Sequence, residues 1–268
     1  MSDLSGKVAL VTGAGSGIGR ASSLLMAARG AVLAVTDLNL DAANAVSEEI
    51  RAAGGTSRAF RCNLESEEDI TLAVELTTEH FGRLDIMFNN AALIAPDIYE
   101  RDSDILSVPT EVWDRTMAVT LRGTMFGCRY GARAMIRSGG GSIINTSSIF
   151  GISAHNRNIA YGVAKGAINT LTTYVATSLG RHGIRCNGVA PSLIMTPTGT
   201  TLPAELKKIH EDSTLTGFLG EPRDVAEVVA FLASDGARFV TGHIIPVDGG
   251  TLAHLPTYAG WRQELGEP

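Results

Sequence analysis

Short, unbroken apolar runs alternate along this chain with longer stretches whose apolar residues recur at helical spacing. Val8-Ala9-Leu10-Val11 is the first run and Ala31-Val32-Leu33-Ala34-Val35 the second. Ala59-Phe60-Arg61-Cys62, Leu84-Asp85-Ile86-Met87-Phe88, Ser142-Ile143-Ile144-Asn145-Thr146 and Arg185-Cys186-Asn187-Gly188-Val189 continue the series, and the stretch 240–250 holds the last. Strands with one wet face alternate apolar and polar residues, whereas unbroken runs mark strands buried on both faces of a parallel sheet. The intervening stretches predict helices over 21–29, 41–53, 66–81, 110–137 and 160–180, with another starting at Glu221. Trp113, Met117, Leu121, Met125 and Phe126 form the apolar stripe of the long one. Ala164, Ile168, Leu171 and Val175 form that of the helix after Ala160, facing the sheet or a neighbouring subunit. Strand–helix alternation of this kind predicts a doubly wound α/β domain with helices on both faces of the sheet.

Three stretches break the rhythm. Residues 93–110 are polar and irregular, with Pro96 and Pro109. Residues 192–220 carry only a short helical patch near 204–211, which suggests a lid over a ligand. The tail, 251–268, holds Tyr258 and Trp261 and is a candidate for docking on a neighbour. With no repeat and no linker, residues 1–268 read as one domain. The 268 residues are 44% hydrophobic, enough for a sizeable core. A formal net charge of −6 argues against nucleic acid or an anionic membrane as partner. No apolar run approaches the roughly 20 residues that cross a bilayer, and the first residues lack the pattern of a secretory signal. Cys62, Cys128 and Cys186 lie far apart without CxxC spacing, and the histidines show no ligand spacing. Buried, reduced thiols in a cytoplasmic protein, with no metal, fit this better than a metal site.

The first run leads into Thr12-Gly13-Ala14-Gly15-Ser16-Gly17-Ile18-Gly19 and then a helix. Glycine accepts positive φ and lets backbone approach a ligand, while the helix N-terminus offers free N–H groups to a pyrophosphate. The second run ends in Asp37, 18 residues after Gly19. A carboxylate about 20 residues past such glycines accepts hydrogen bonds from the adenosine ribose and repels a 2′-phosphate. No lysine or arginine stands at Ser16 or at Leu38-Asn39-Leu40, so NAD is expected in preference to NADP. Asn89-Asn90 closes the fourth run, where sheets of this kind open onto ligands. Further on, Tyr161 and Lys165 are four residues apart and share one helix face. The lysine ammonium favours the phenolate of a tyrosine whose ordinary pKa, about 10, is too high for a base at neutral pH. Ser148, at the end of the fifth run, could bring a hydroxyl donor, and Tyr161 a general acid/base, to one carbonyl oxygen.

These pieces in this order resemble the short-chain dehydrogenase/reductase family over residues 4–250: Thr12-Gly13-x-x-x-Gly17-x-Gly19, Asn89-Asn90-Ala91-Ala92, Ser148, Tyr161-x-x-x-Lys165, the Pro191 turn and Asp248-Gly249-Gly250. The resemblance implies a Rossmann-type domain with a seven-stranded parallel sheet, often a homotetramer. It implies Tyr161 as general acid/base, Lys165 as ribose ligand and activator, and Ser148 as donor to the substrate oxygen. Cofactor contacts fall on Gly13, Ser16, Gly17, Ile18, Gly19, Asp37, Asn63, Leu64, Asn90, Ile194 and Thr196, as well as Tyr161 and Lys165. The implied reaction interconverts a secondary alcohol and a ketone by hydride transfer to or from NAD. An NAD-binding protein without turnover and a ketoacyl-type reductase are the alternatives.

Three positions depart from the family pattern. Thr120 stands where an asparagine usually helps hold a water linked to the lysine, and its hydroxyl has a shorter reach. Ser192 replaces the glycine of the usual Pro-Gly turn, and Asn63 stands where aspartate is frequent. The substrate walls are expected from 93–98, 149–159 and 192–219. Leu, Ile, Phe150, Met195 and Phe218 predominate there over His155, Asn156 and Thr198, which suggests an apolar, cyclic alcohol.

Overall fold

The computed structural model describes residues 3–266. Its strands are β1 (Val8–Thr12), β2 (Val32–Asp37), β3 (Ser57–Arg61), β4 (Ile86–Asn89), β5 (Gly141–Thr146), β6 (Ile184–Pro191) and β7 (Ile244–Val247). All pair in parallel in the order β3-β2-β1-β4-β5-β6-β7. The order reverses between β1 and β4, and a crevice opens at the carboxyl ends of the strands at such a switch point. Register brings Thr12, Asp37, Asn89 and Thr146 to that edge: Val11 pairs with both Val35 and Phe88, and Asn89 with Asn145.

The helices are α1 (Gly17–Ala28), α2 (Leu40–Ala52), α3 (Glu67–Phe81), a one-turn α4 (Pro96–Tyr99), α5 (Thr110–Thr116), α6 (Gly123–Ser138), α7 (Ile159–Leu179), α8 (Ala204–Asp212), α9 (Pro222–Ala233) and α10 (Tyr258–Leu265). Alternate strand residues feed two cores. Val11, Val35, Phe88 and Ile144 pack with Met26, Val46 and Val229 from α1, α2 and α9 on one face. Leu10, Ala34, Met87 and Ile143 pack with Ile70, Met135 and Ala176 from α3, α6 and α7 on the other. Burial on both sides is why the runs read as unbroken apolar segments.

The structure departs from the sequence reading in four places. The helix expected over 110–137 is not uniform: between α5 and α6 the six residues Met117–Arg122 form a π-helical segment. Such bulges gather at functional sites. Here the buried Thr120 hydroxyl accepts the Leu93 amide at 3.1 Å, tying the widened turn to the loop after β4. The last strand is shorter than 240–250, because Gly242, Gly249 and Gly250 hold positive φ and turn the chain on either side of it. The stretch 93–110 contains α4. The tail, read without a helix, carries α10 with Trp261 exposed on it, and His254 Nε2 lies 2.8 Å from the Ser213 carbonyl. Among the described residues no helix is long and apolar enough to cross a membrane.

Candidate active site

A cavity of about 320 Å³ lies at the switch point, lined by Gly13, Ser16, Gly17, Ile18, Asp37, Asn63, Leu64, Asn90, Tyr161, Lys165 and Thr196. Its floor is the loop from β1 into α1. Gly13 and Gly17 take φ of +63° and +52°, and a Cβ on Gly19 would stand 2.1 Å from the Gly13 carbonyl oxygen. Only glycine lets the loop fold this tightly against the start of α1. Asn90 buttresses the loop: its amide nitrogen donates to the carbonyls of Thr12 at 3.0 Å and Gly13 at 3.2 Å. The Thr12 hydroxyl in turn accepts from the amides of Asn90 and Ala91. At the end of β2, the Asp37 carboxylate accepts from the Gly15 amide and the Asn39 amide, both at 2.9 Å. A glycine loop and helix start lining the cavity, with a carboxylate beside them, suit a dinucleotide.

At the other end stand Tyr161 and Lys165, with Ser148 against Tyr161 and off the cavity wall. Lys165 is 1% exposed; its ammonium donates to the Thr146 carbonyl at 2.6 Å and lies 5.5 Å from the Tyr161 ring centroid. Burial pushes that ammonium down to about 7. Burial likewise pushes the Tyr161 phenol well above its ordinary value, the neighbouring Tyr99 adding to the rise and a hydrogen bond with Ser148 opposing it. The expected help from Lys165 therefore meets a larger, opposing cost of burying a phenolate. Ser148 lies two residues past the end of β5, and its Oγ accepts the Phe150 amide at 3.2 Å, leaving the O–H to donate. The rings of Tyr99 and Phe150 stand edge-on to Tyr161, with centroids 6.0 and 6.3 Å away, and His155 stacks on Phe150 at 5.0 Å. The Tyr161 ring thus has aromatic neighbours from two segments.

Two expected contacts are placed differently. Ile194 packs into the core and is absent from the cavity wall, its segment held by the bond from the Met195 amide to the Gly220 carbonyl. Gly19 acts by closeness to Gly13 and does not line the cavity. Asn89, next to Asn90, turns inward and donates to Asn145 at 2.9 Å; Asn145 donates to Thr172 at 2.9 Å. That amide network joins β4, β5 and α7 beneath Lys165.

The sequence reading missed Tyr99 and Asp102. Asp102 is 1% exposed, and its two carboxylate oxygens accept the amides of Ala160 and Tyr161, each at 2.9 Å. The one signal in the sequence is negative: the first turn of α7 has no acidic residue. The three cysteines are free and buried. Among the described residues no group of three or more His, Cys, Asp or Glu is placed to hold a metal ion.

The profile of the family described as "Enoyl-(Acyl carrier protein) reductase" matches residues 13–251. A cyclohexanol dehydrogenase of Acinetobacter sp. (strain SE19) is 41% identical over 244 residues, covering 91% of this chain and 94% of that one. A 7α-hydroxysteroid dehydrogenase solved with NADH and 7-oxo glycochenodeoxycholic acid superposes with a TM-score of 0.87 at 32% identity, covering 92% of this chain and 95% of that one. The crystal structure of a short-chain type dehydrogenase/reductase from Mycobacterium marinum gives the same TM-score, 0.87, at 31% identity, covering 94% and 98%.

Proposed function

The chain belongs to the short-chain dehydrogenase/reductase family, and on that premise we propose that it is an NAD-dependent alcohol dehydrogenase acting on an apolar, cyclic secondary alcohol. The observation that carries this reading is one cavity with a glycine cradle and Asp37 at one end and Tyr161 with Lys165 at the other. Asp37 sits where a 2′-phosphate would be repelled, and the solved relative named above holds NADH. When bound, the nicotinamide ring supplies the hydride acceptor.

The chain's own residues supply the rest. Ser148 donates its hydroxyl proton to the substrate oxygen and so holds it beside Tyr161. Tyr161 takes the alcohol proton in oxidation and returns it in reduction; ionisation of a phenol this buried requires a stabilising positive charge nearby. The Lys165 ammonium is that charge, and as a residue of the cavity wall it would also hold the ribose hydroxyls. The apolar rings of Tyr99 and Phe150 favour a substrate with hydrocarbon bulk around the carbinol carbon, in keeping with the cyclohexanol and steroid relatives. The homotetramer implied by the resemblance and a cytoplasmic location are part of the same proposal.

The test is absorbance at the NADH band with NAD and a panel of cyclic, linear and polyol alcohols, with NADP and Tyr161→Phe alongside. NADH formation on cyclic alcohols, lost in Tyr161→Phe and weak with NADP, supports the proposal. Turnover surviving in Tyr161→Phe, or faster on small polyols, overturns it. NAD binding with no turnover on any alcohol would favour a binding protein, and equal use of NADPH a ketoacyl-type reductase.

A further inference from the structure

The helix that carries Tyr161 and Lys165 lacks a cap of its own. Its N-cap, Asn158, is the one non-glycine residue with positive φ among those described, at +59°. An N-cap side chain ordinarily accepts the amide of the second or third helical residue. Asn158 does not; its amide nitrogen donates outward to the Tyr99 carbonyl at 3.1 Å. Both orphan amides instead find Asp102, more than fifty residues earlier, one on each carboxylate oxygen. The Asp102 carbonyl accepts the Asn158 amide at 2.8 Å, and the Ser103 carbonyl the Ile159 amide at 3.4 Å. Every amide from Asn158 to Tyr161 is thus held by two adjacent residues of a loop on a different part of the chain.

We propose that Asp102 is a positioning residue for Tyr161, setting the height and rotation of the first turn of α7 so that the phenol meets Ser148 and the substrate oxygen. This inference rests on the acid/base role proposed for Tyr161. Its logic is that the two functional residues of α7 are anchored differently. Lys165 lies one turn deeper and is tied to Thr146; below it Ala164, Ile168 and Thr172 are fully buried against the sheet. Tyr161 lies in the turn that would fray if its amides lost their acceptors. Losing the cap therefore loosens the proton-transfer residue while the glycine loop, Asp37 and Lys165 stay in place. The same residues fasten the segment bearing Tyr99, so the aromatic wall and the phenol it faces move as one piece.

The experiment compares wild type, Asp102→Asn and Asp102→Ala, with Asp104→Ala as an exposed control on the same loop and Tyr161→Phe as the reference for lost chemistry. Hydrogen exchange should quicken at 159–162 in both Asp102 variants and stay slow over 164–179. NADH affinity, read by fluorescence, should stay within about twofold, because the cofactor end of the site is untouched. On the best alcohol of the panel, kcat should fall roughly ten- to a hundredfold in Asp102→Ala, the scale expected of about 1 Å of misplacement. Asp102→Asn, with one oxygen acceptor left, should fall in between, and the primary deuterium isotope effect on kcat should rise in both. Unchanged exchange at 159–162 overturns the proposal. So does wild-type kcat in both variants, or loss of NADH binding and of exchange protection throughout, which would make Asp102 a residue of the whole fold. Turnover surviving Tyr161→Phe would instead overturn the acid/base assignment beneath it, a result distinct from a silent Asp102 alongside a dead Tyr161→Phe.

Discussion

Lys165 meets the Thr146 carbonyl at 2.6 Å, and among the described residues no carboxylate pairs with it. A buried ammonium held by one neutral acceptor is costly to the fold. Burial lowers its pKa to about 7, whereas the unfolded chain keeps the ordinary value of about 10.4. Between those two values the folded state has released a proton that the unfolded state retains, so stability rises with pH across that window, by at most about 1.4 kcal/mol per pH unit. Lys165→Met has no such titration. Without cofactor, it should be more stable than wild type at pH 6, by roughly 2–4 kcal/mol. The gap should shrink steadily and nearly vanish by pH 10. Urea unfolding at a series of pH values reads this directly, and a gap independent of pH would refute it.

Under the proposed NAD preference, Asp37, held by the Gly15 and Asn39 amides, repels an incoming 2′-phosphate. Unit charges about 5 Å apart at an effective dielectric near 20 repel by about 3 kcal/mol. Asp37→Ala should therefore raise the ratio of NADP to NAD efficiency on the order of a hundredfold. Comparing kcat/KM with both cofactors checks it; an unchanged ratio would remove Asp37 from cofactor choice.

Asn145 sits at the centre of the sheet with no exposure, bonded to Asn89 and Thr172 and flanked by the sulfurs of Cys128 at 3.5 Å and Cys186 at 3.6 Å. Asn145→Ala strands two buried polar groups and opens a gap, which together cost about 2–4 kcal/mol. Calorimetry should show Tm lower by roughly 5–15 °C.

Gly19 and Gly180 make a matched pair. A Cβ at Gly19 collides with main chain, the Gly13 oxygen at 2.1 Å, and no rotamer change can relieve it. Gly19→Ala should abolish measurable NADH binding and lower Tm. Gly180 has helical angles of −58° and −38° with nothing within 4 Å of an added Cβ. Gly180→Ala should stabilise by about 0.4–1 kcal/mol through the unfolded chain and leave turnover unchanged. Equal effects at the two sites would mean that the loop tolerates side chains that its geometry excludes.

What the sequence determined by itself was whatever depends on neighbours a few residues apart. Unbroken apolar runs marked doubly buried strands, glycines at Gly13, Gly17 and Gly19 marked a cradle, and four-residue spacing put Tyr161 and Lys165 on one face. Asp37 could be placed because a strand–loop–helix–strand unit has a nearly constant length. Only the tertiary structure decided what depends on partners far along the chain. It brought Asp102 to the amides of α7, joined Asn89 to Asn145, tied Thr120 to Leu93 through the π-helical turn, and set Tyr99 against Tyr161. It also decided the electrostatics, because a lysine's pull on a tyrosine can be read from spacing, whereas the cost of burying both depends on how much protein closes around them. Local pattern is encoded in consecutive residues; burial and long-range pairing follow from the route the chain takes across the sheet.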